Sequence, residues 1–198
     1  MHRPTVEIYE ANATEYRRRR KAYDPERAER FRAAVGPGAR RLDVGCGPGL
    51  YLPLLGRPLV ASDVAPAMCA EARRADPAVP VAAHDLLALP FRDAAFAGIW
   101  AWKCLQHLPA TDLPVALGEL ARCLVPGGRL DLAVFRSGRH EVHEELSPDD
   151  DDFPGRLFTW WEPAPLAGLL DAAGLDVQEL AVTDRTLKAT ATRRRTSS

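Results

Sequence analysis

A chain of 198 residues with 46% hydrophobic and 27% charged side chains is long enough for one well-buried core and too short for two ordinary domains. A net charge of -1 argues against a protein built around nucleic acid or another polyanion, and no apolar run reaches the ~18 residues a membrane span needs. The N-terminus lacks the apolar core of a signal peptide, and Cys46, Cys69, Cys104 and Cys123 lie far apart without a CxxC pair, so reduced thiols in a soluble, cytoplasmic protein are expected.

From about Val6 to Val35 the chain reads as two helices broken near Asp24-Pro25, with Asp24 as the cap of the second and Pro25 at its first position. From Arg40 onward β-rich runs alternate with helical ones. RRLDV is followed by a helix after Gly49, PLVASD by a helix from Ala65 to Arg74, and PVAAHD leads to FAGIWAW. A helix from about Asp112 to Leu124, GGRLDLAVF, a helix from about Pro163 to Ala173 and LDVQELAV complete the pattern. This alternation predicts a three-layer α/β fold, a doubly wound seven-stranded sheet that is mostly parallel. LDVQELAVTD and LKATATRRR are separated by only a short turn at Asp184-Arg185, so the last strand is expected to be antiparallel, since a parallel crossover needs a dozen or so residues. SPDDDDFPG, from Ser147 to Gly155, reads as a solvated acidic loop, and the tail TRRRTSS is expected to fray.

The strongest motif is LDVGCGPG at Leu42 to Gly49, where an apolar strand ends at a turn with glycines at 45, 47 and 49. Glycine suits a turn whose backbone conformations are closed to other residues and which a ligand must approach closely. A dinucleotide fingerprint would need its third glycine where Leu50 stands, and no GK[ST] follows, so the pyrophosphate cofactors lose ground. Asp63 closes the next strand, where a carboxylate can accept from both hydroxyls of a ribose or can cap the helix at Ala65. Asp85 closes the third, where an acid can take the amino proton of an adenine while Leu86 packs on the ring. A glycine turn and two acids on successive strand ends make a nucleoside site.

LDVGCGPG, Asp63 in ASDVAPAM, HDLLALPF, FAGIWAWKCLQHL and LARCLVPGGRLDLAVF together resemble the class I S-adenosylmethionine (SAM) dependent methyltransferases, specifically the small bacterial type 11 group, from about Val6 to Val182. The resemblance implies a Rossmann-like methyltransferase fold in one domain, with residues 1–36 a helical lid and 37–198 the SAM-binding body. It places Gly45, Gly47 and Gly49 under the methionine part of SAM, Asp63 at the ribose and Asp85 with Leu86 at the adenine, and counts Cys46, Val64 and Met68 among the cofactor contacts. Asp43 matches an acidic position turned toward the cofactor, Trp102 would lie beside the sulfonium, and Tyr16 and Arg20 would close the lid. Phe96-Ala97 stands where the group often has Phe-Asp, and Trp100 and Trp102 occupy the same strand.

Methyl transfer from a sulfonium is a direct in-line displacement, leaving S-adenosylhomocysteine (SAH), so the protein's tasks are to position a nucleophile and, for some acceptors, to remove a proton. His107, after the fourth strand, is the candidate base. Lys103, Gln106, Arg136, Phe158, Trp160 and Trp161 are the candidate acceptor contacts, the two tryptophans reading equally as a wall of the acceptor pocket or as the apolar lead-in to the next helix. HEVHEE at 140–145 lacks the spacing of a zinc motif, and no metal is expected. The expected partner is a small-molecule methyl acceptor, for a monomer or homodimer. Two alternatives stand beside it: a tRNA wobble-base methyltransferase, to which GPGLYLP and RLFTWW are similar, and a SAM-binding homologue that transfers no methyl group.

Overall fold

The computed structural model describes residues 2–195. Helix α1 (Arg3–Arg19) precedes α2 (Pro25–Val35), and the Asp24 side chain accepts from the Arg27 backbone N–H at 3.1 Å, as a cap before a first-turn proline should. There follow β1 (Arg41–Val44), β2 (Leu59–Asp63), α3 (Pro66–Ala75), β3 (Val81–Ala83), β4 (Phe96–Trp102), α4 (Leu113–Cys123) and β5 (Leu124–Arg136). The remaining elements are β6 (His143–Leu146), β7 (Leu157–Trp161), α5 (Pro163–Ala172), β8 (Leu175–Val182) and β9 (Thr186–Arg193).

Strands β3, β2, β1, β4 and β5 pair in that order, all parallel, and β9 continues the sheet antiparallel to β5 with β8 antiparallel to β9. This is the expected sheet of seven with a reversed last strand. The chain adds two strands to it. β7 runs parallel to the tip of β5, with Phe135 opposite Trp160 and Arg136 opposite Trp161, and β6 folds back antiparallel on β7.

Side chains alternate across the sheet and build a core on each face. Leu42 and Val44 of β1, Ile99 and Ala101 of β4 and Leu187, Ala189 and Ala191 of β9 pack with α4 and α5. Trp100 and Trp102 of β4 face the other way with Phe31 of α2 and Cys69 and Ala72 of α3. On that second face Arg27 is buried. It donates to Asp131 Oδ1 at 3.1 Å and to Thr190 Oγ1 at 2.9 Å, which pins α2 to β5 and β9.

Two expectations fail locally. No regular helix follows Gly49: residues 47–54 form successive turns, because Pro53 has no N–H for the bond that a helix would place there. The tail does not fray at its start either, since Thr192 and Arg193 belong to β9 and Arg194 pairs with Asp171 and Asp176; residues 196–198 lie outside those described. The four cysteines are free and buried, and no described helix is long and apolar enough to cross a membrane.

Candidate functional site

The strand order reverses between β1 and β4, and in open α/β sheets the crevice beyond the C-terminal strand ends at such a point is where ligands bind. Here the ends of β1, β2, β4 and β5, the inner face of α1, the β6–β7 hairpin and the β8–β9 turn enclose a cavity of about 620 Å³, within the range of small-molecule sites.

One end of the cavity is acidic and glycine-lined. Asp63 caps the start of α3, its Oδ1 accepting from Ala65 N at 3.0 Å, and its Oδ2 accepts from Gly47 N at 2.8 Å, which fixes the glycine turn. Asp43 is 2% exposed, and its Oδ2 has no partner. Burial, and then the Asp63 charge, hold the Asp43 carboxyl well above the usual carboxylate range; burial also raises Asp63, against the bonds it accepts from backbone amides. Gly45, Cys46, Gly47, Val64, Met68 and Leu86 line this end, and Trp102, stacked on Trp100 at 4.4 Å between ring centroids, forms part of the wall. Gly49 and Asp85 do not reach the wall. Gly49 packs on Ala72 of α3, and Asp85 accepts from Leu87 N at 2.9 Å, shaping the loop that carries Leu86.

Helix α1 covers this end with one face. Val6, Tyr9, Tyr16 and Arg20 line the cavity, and Ala13 of the same face packs with Ala65 and Met68. Tyr9 escaped notice, although its spacing of seven from Tyr16 places both on one helical face. Its hydroxyl lies 2.8 Å from His107 Nε2 and accepts from Arg156 Nη1 at 2.9 Å, while His107 Nδ1 lies 2.9 Å from Leu157 O. A carbonyl only accepts, so Nδ1 carries the proton and Nε2 accepts from Tyr9. The lone pair a base would use is therefore occupied, and His107 is a latch between α1 and β7. The acidic loop is part of the same closure: Asp151 pairs with Arg156 at 2.6 Å, and Asp152 with Arg19 and Arg20 at 2.8 and 2.6 Å.

Burial pushes His107 down to about 4, from 6.5 in an open chain. A base with a depressed folded pKa contributes its stability in full above the unfolded value and loses it as the pH falls from 6.5 toward 4. We expect urea midpoints to fall between pH 7 and pH 4.5 by an amount that includes about 2 to 3 kcal/mol from this group, and His107→Gln to flatten the curve by that amount.

The other end of the cavity is aromatic and cationic. Alternation along β7 turns Phe158 and Trp160 into the cavity and Trp161 into the core with Leu166, so Trp161 is not an acceptor contact. Arg136 also lies off the wall, its Nη1 donating to Thr183 O at 3.3 Å. Gln106 lines the cavity, 3% exposed and with Oε1 unpartnered. Phe135 stacks on Trp160 at 4.8 Å, and His143, from the rejected metal motif, stacks on Trp160 at 6.0 Å. Lys103 reaches between Phe135 and Thr186, and burial, reinforced by Lys188 and Arg185, pushes its ammonium down to about 7.

Residues 42–128 match a family model described as a methyltransferase domain. The malonyl-[acyl-carrier protein] O-methyltransferase of Erwinia billingiae is 31% identical over 135 residues, 66% of this chain and 53% of that protein. The 2-phytyl-1,4-naphtoquinone methyltransferase of Thermosynechococcus vestitus is 39% identical over 118 residues, 55% of this chain and 52% of that protein. The chain thus spans about half the length of the curated relatives it matches. Among solved structures, a Burkholderia thailandensis 1,6-didemethyltoxoflavin-N1-methyltransferase with bound 1,6-didemethyltoxoflavin and S-adenosylhomocysteine shares the fold, with a TM-score of 0.67 and 24% identity over 87% of this chain and 79% of that one. The chain carries a class I SAM-dependent methyltransferase domain.

Proposed function

We propose that this chain transfers the methyl group of SAM to a small-molecule acceptor by direct in-line displacement and releases SAH. The observation that carries this reading is the polarity of one continuous cavity: buried carboxyls and a glycine turn at one end, an aromatic and cationic wall at the other, with Trp102 and Gln106 also in its lining. The acidic end fits the cofactor's chemistry. An unpartnered Asp43 oxygen and the buried Asp63 carboxylate call for a ligand that brings hydrogen-bond donors and positive charge, and a Cβ on Gly47 would meet nothing within 4 Å, so the main chain there is open to close approach.

When bound, SAM supplies a methyl carbon already activated by the sulfonium charge. The chain's own residues then have three tasks. Asp43, Asp63 and the glycine turn hold the ligand, with Leu86, Val64 and Met68 as apolar surface. Of residues 1–36, expected as a lid of the single domain, helix α1 acts as that lid while α2 belongs to the core, and the Tyr9–His107–Arg156 latch keeps water out while it is shut. Phe135, Phe158 and Trp160 orient the acceptor so that its nucleophile meets the methyl group in line.

The relatives named above are methyltransferases of different acceptors, so the acceptor is argued from this cavity alone. Incubation of the purified protein with SAM and a panel of small aromatic and lipid-like acceptors, with SAH release as the readout, is the test. SAH formed only with a small acceptor supports the proposal; SAH formed only with RNA would move the protein to the tRNA alternative, and saturable SAM binding without SAH from any acceptor would make it a binding module.

A further inference from the structure

At the end of β4 the chain turns through Lys103, whose φ of 59° lies in the left-handed region that side-chain-bearing residues rarely adopt. Such a conformation persists where the surroundings over-determine it, and functional sites are where such residues collect. The Lys103 N–H donates to Ala133 O at 3.0 Å and ties the turn to β5. Its side chain is part of the cavity wall. Nζ lies 4.2 Å from the Phe135 ring centroid and 5.5 Å from that of Tyr23, and donates to Thr186 Oγ1 at 2.9 Å.

An ammonium has three donors, and this one has a single hydrogen bond and no carboxylate within ion-pair distance among the described residues. The charges acting on it are cations: Lys188 from β9 and Arg185 from the β8–β9 turn. Lys188 is itself paired with Asp24 at 2.7 Å. Of the other charged groups of the cavity wall, Arg156 pairs with Asp151 and Arg20 with Asp152, Glu145 on β6 lies within 4.0 Å of His143, Asp63 accepts from Gly47 N and Ala65 N, Asp43 is buried on β1, and Lys21 lies before α2. A half-satisfied buried cation among cations is costly unless an anion joins it. Beside it, Phe135 and Trp160 stack on each other between Lys103 and His143 and line the same stretch of wall with their ring edges, because Phe135 sits opposite both Trp160 on β7 and Thr186 on β9.

We infer that the methyl acceptor is a planar ring compound bearing an ionised oxygen, a carboxylate or phenolate, and that Lys103 holds this oxygen while the ring lies against the edges of Phe135 and Trp160. The inference rests on the methyltransferase reading of the cavity. Because Lys103 is held near neutrality when unpaired, a bound anion recharges it. At pH 8 binding draws in up to roughly one proton, and affinity for the anion falls as the pH rises from 7 to 9.

The experiment titrates 2-naphthoate and its uncharged isostere 2-naphthamide into wild type, Lys103→Met and Lys103→Arg, each first saturated with SAH. Wild type should bind the acid at least about tenfold more tightly than the amide at pH 7, Lys103→Met should lose that preference, and Lys103→Arg should keep it. At pH 8 the heat of binding the acid should vary with the ionisation enthalpy of the buffer in wild type and not in Lys103→Arg, whose guanidinium stays charged. Should Lys103→Met fail to fold, that buffer dependence and the Lys103→Arg comparison still decide. Equal affinity for acid and amide, a preference that survives in Lys103→Met, or no binding of either probe to wild type would overturn the inference. The SAH titration separates the two readings: failure of SAH to bind wild type removes the methyltransferase proposal, whereas SAH binding without acid preference removes only the role of Lys103.

Discussion

Replacing Asp63 by alanine should weaken SAH binding by at least about a hundredfold, roughly 3 kcal/mol or more, while leaving a folded protein. The carboxylate is buried between the end of β2 and the glycine turn and accepts from Gly47 N at 2.8 Å and Ala65 N at 3.0 Å. Hydrogen bonds to a charged group contribute about 1.5 to 3 kcal/mol each, and an orphaned donor costs a similar amount again. Alanine removes the lone pairs left for ligand hydroxyls and at the same time frees the turn that shapes the floor of the site. The fold itself should suffer less than the binding, because burial already raises the Asp63 carboxyl and its ionised form is costly in the empty cavity. Asp63→Asn, which keeps one acceptor oxygen, should fall between alanine and wild type. Isothermal titration with SAH beside a urea melt checks both statements; an alanine variant that binds SAH within about threefold of wild type would place the cofactor elsewhere.

Most of the frame of that site was legible because it is written locally. β2 and β4 end in Asp63 and Trp102 and β1 runs straight into the glycine turn, and the reversed last strand follows from a turn too short for a crossover. What could not be read was written across distance. β6 is four residues, HEEL, mostly exposed and with no alternation of its own; it is a strand only because β7 lies beside it. The tryptophans of LFTWW read equally as a pocket wall or as the apolar lead-in to the next helix, and pairing with the tip of β5 makes the segment a strand that sends them to opposite faces, one to each.

The same holds for chemistry. His107 suggested a base because its place in the chain faces the cavity, but its protonation is settled by Tyr9, 98 residues away in sequence, and by the Leu157 carbonyl. Arg156 and Asp151 sat in a stretch whose acidity reads as solvation, and only the folded chain shows them closing on α1. Lys103 could be named from its neighbourhood after β4. Its shortage of carboxylate partners, which gives it meaning, is a property of four separated elements.

The glycine turn makes the point testable, since its residues look interchangeable in sequence and are not in space. Gly45→Ala should cost about 3 to 5 kcal/mol of stability: its φ is 64°, and a Cβ there would stand 2.2 Å from Cys104 Cβ and 2.8 Å from its Sγ. Cys104 is buried, and its thiol donates to Val44 O at 3.3 Å, so relief would require β1 and the end of β4 to part. Gly47→Ala meets nothing within 4 Å and pays only for its φ of 52°, about 1 to 2 kcal/mol. Its methyl group should instead occupy space that the ligand needs, so that SAH affinity falls while the protein stays folded. Urea melts and SAH titrations on the two variants give opposite patterns if Gly45 is kept for packing and Gly47 for the ligand. A Gly45→Ala protein that loses less than about 1 kcal/mol, or a Gly47→Ala protein that binds SAH as wild type does, would break that division.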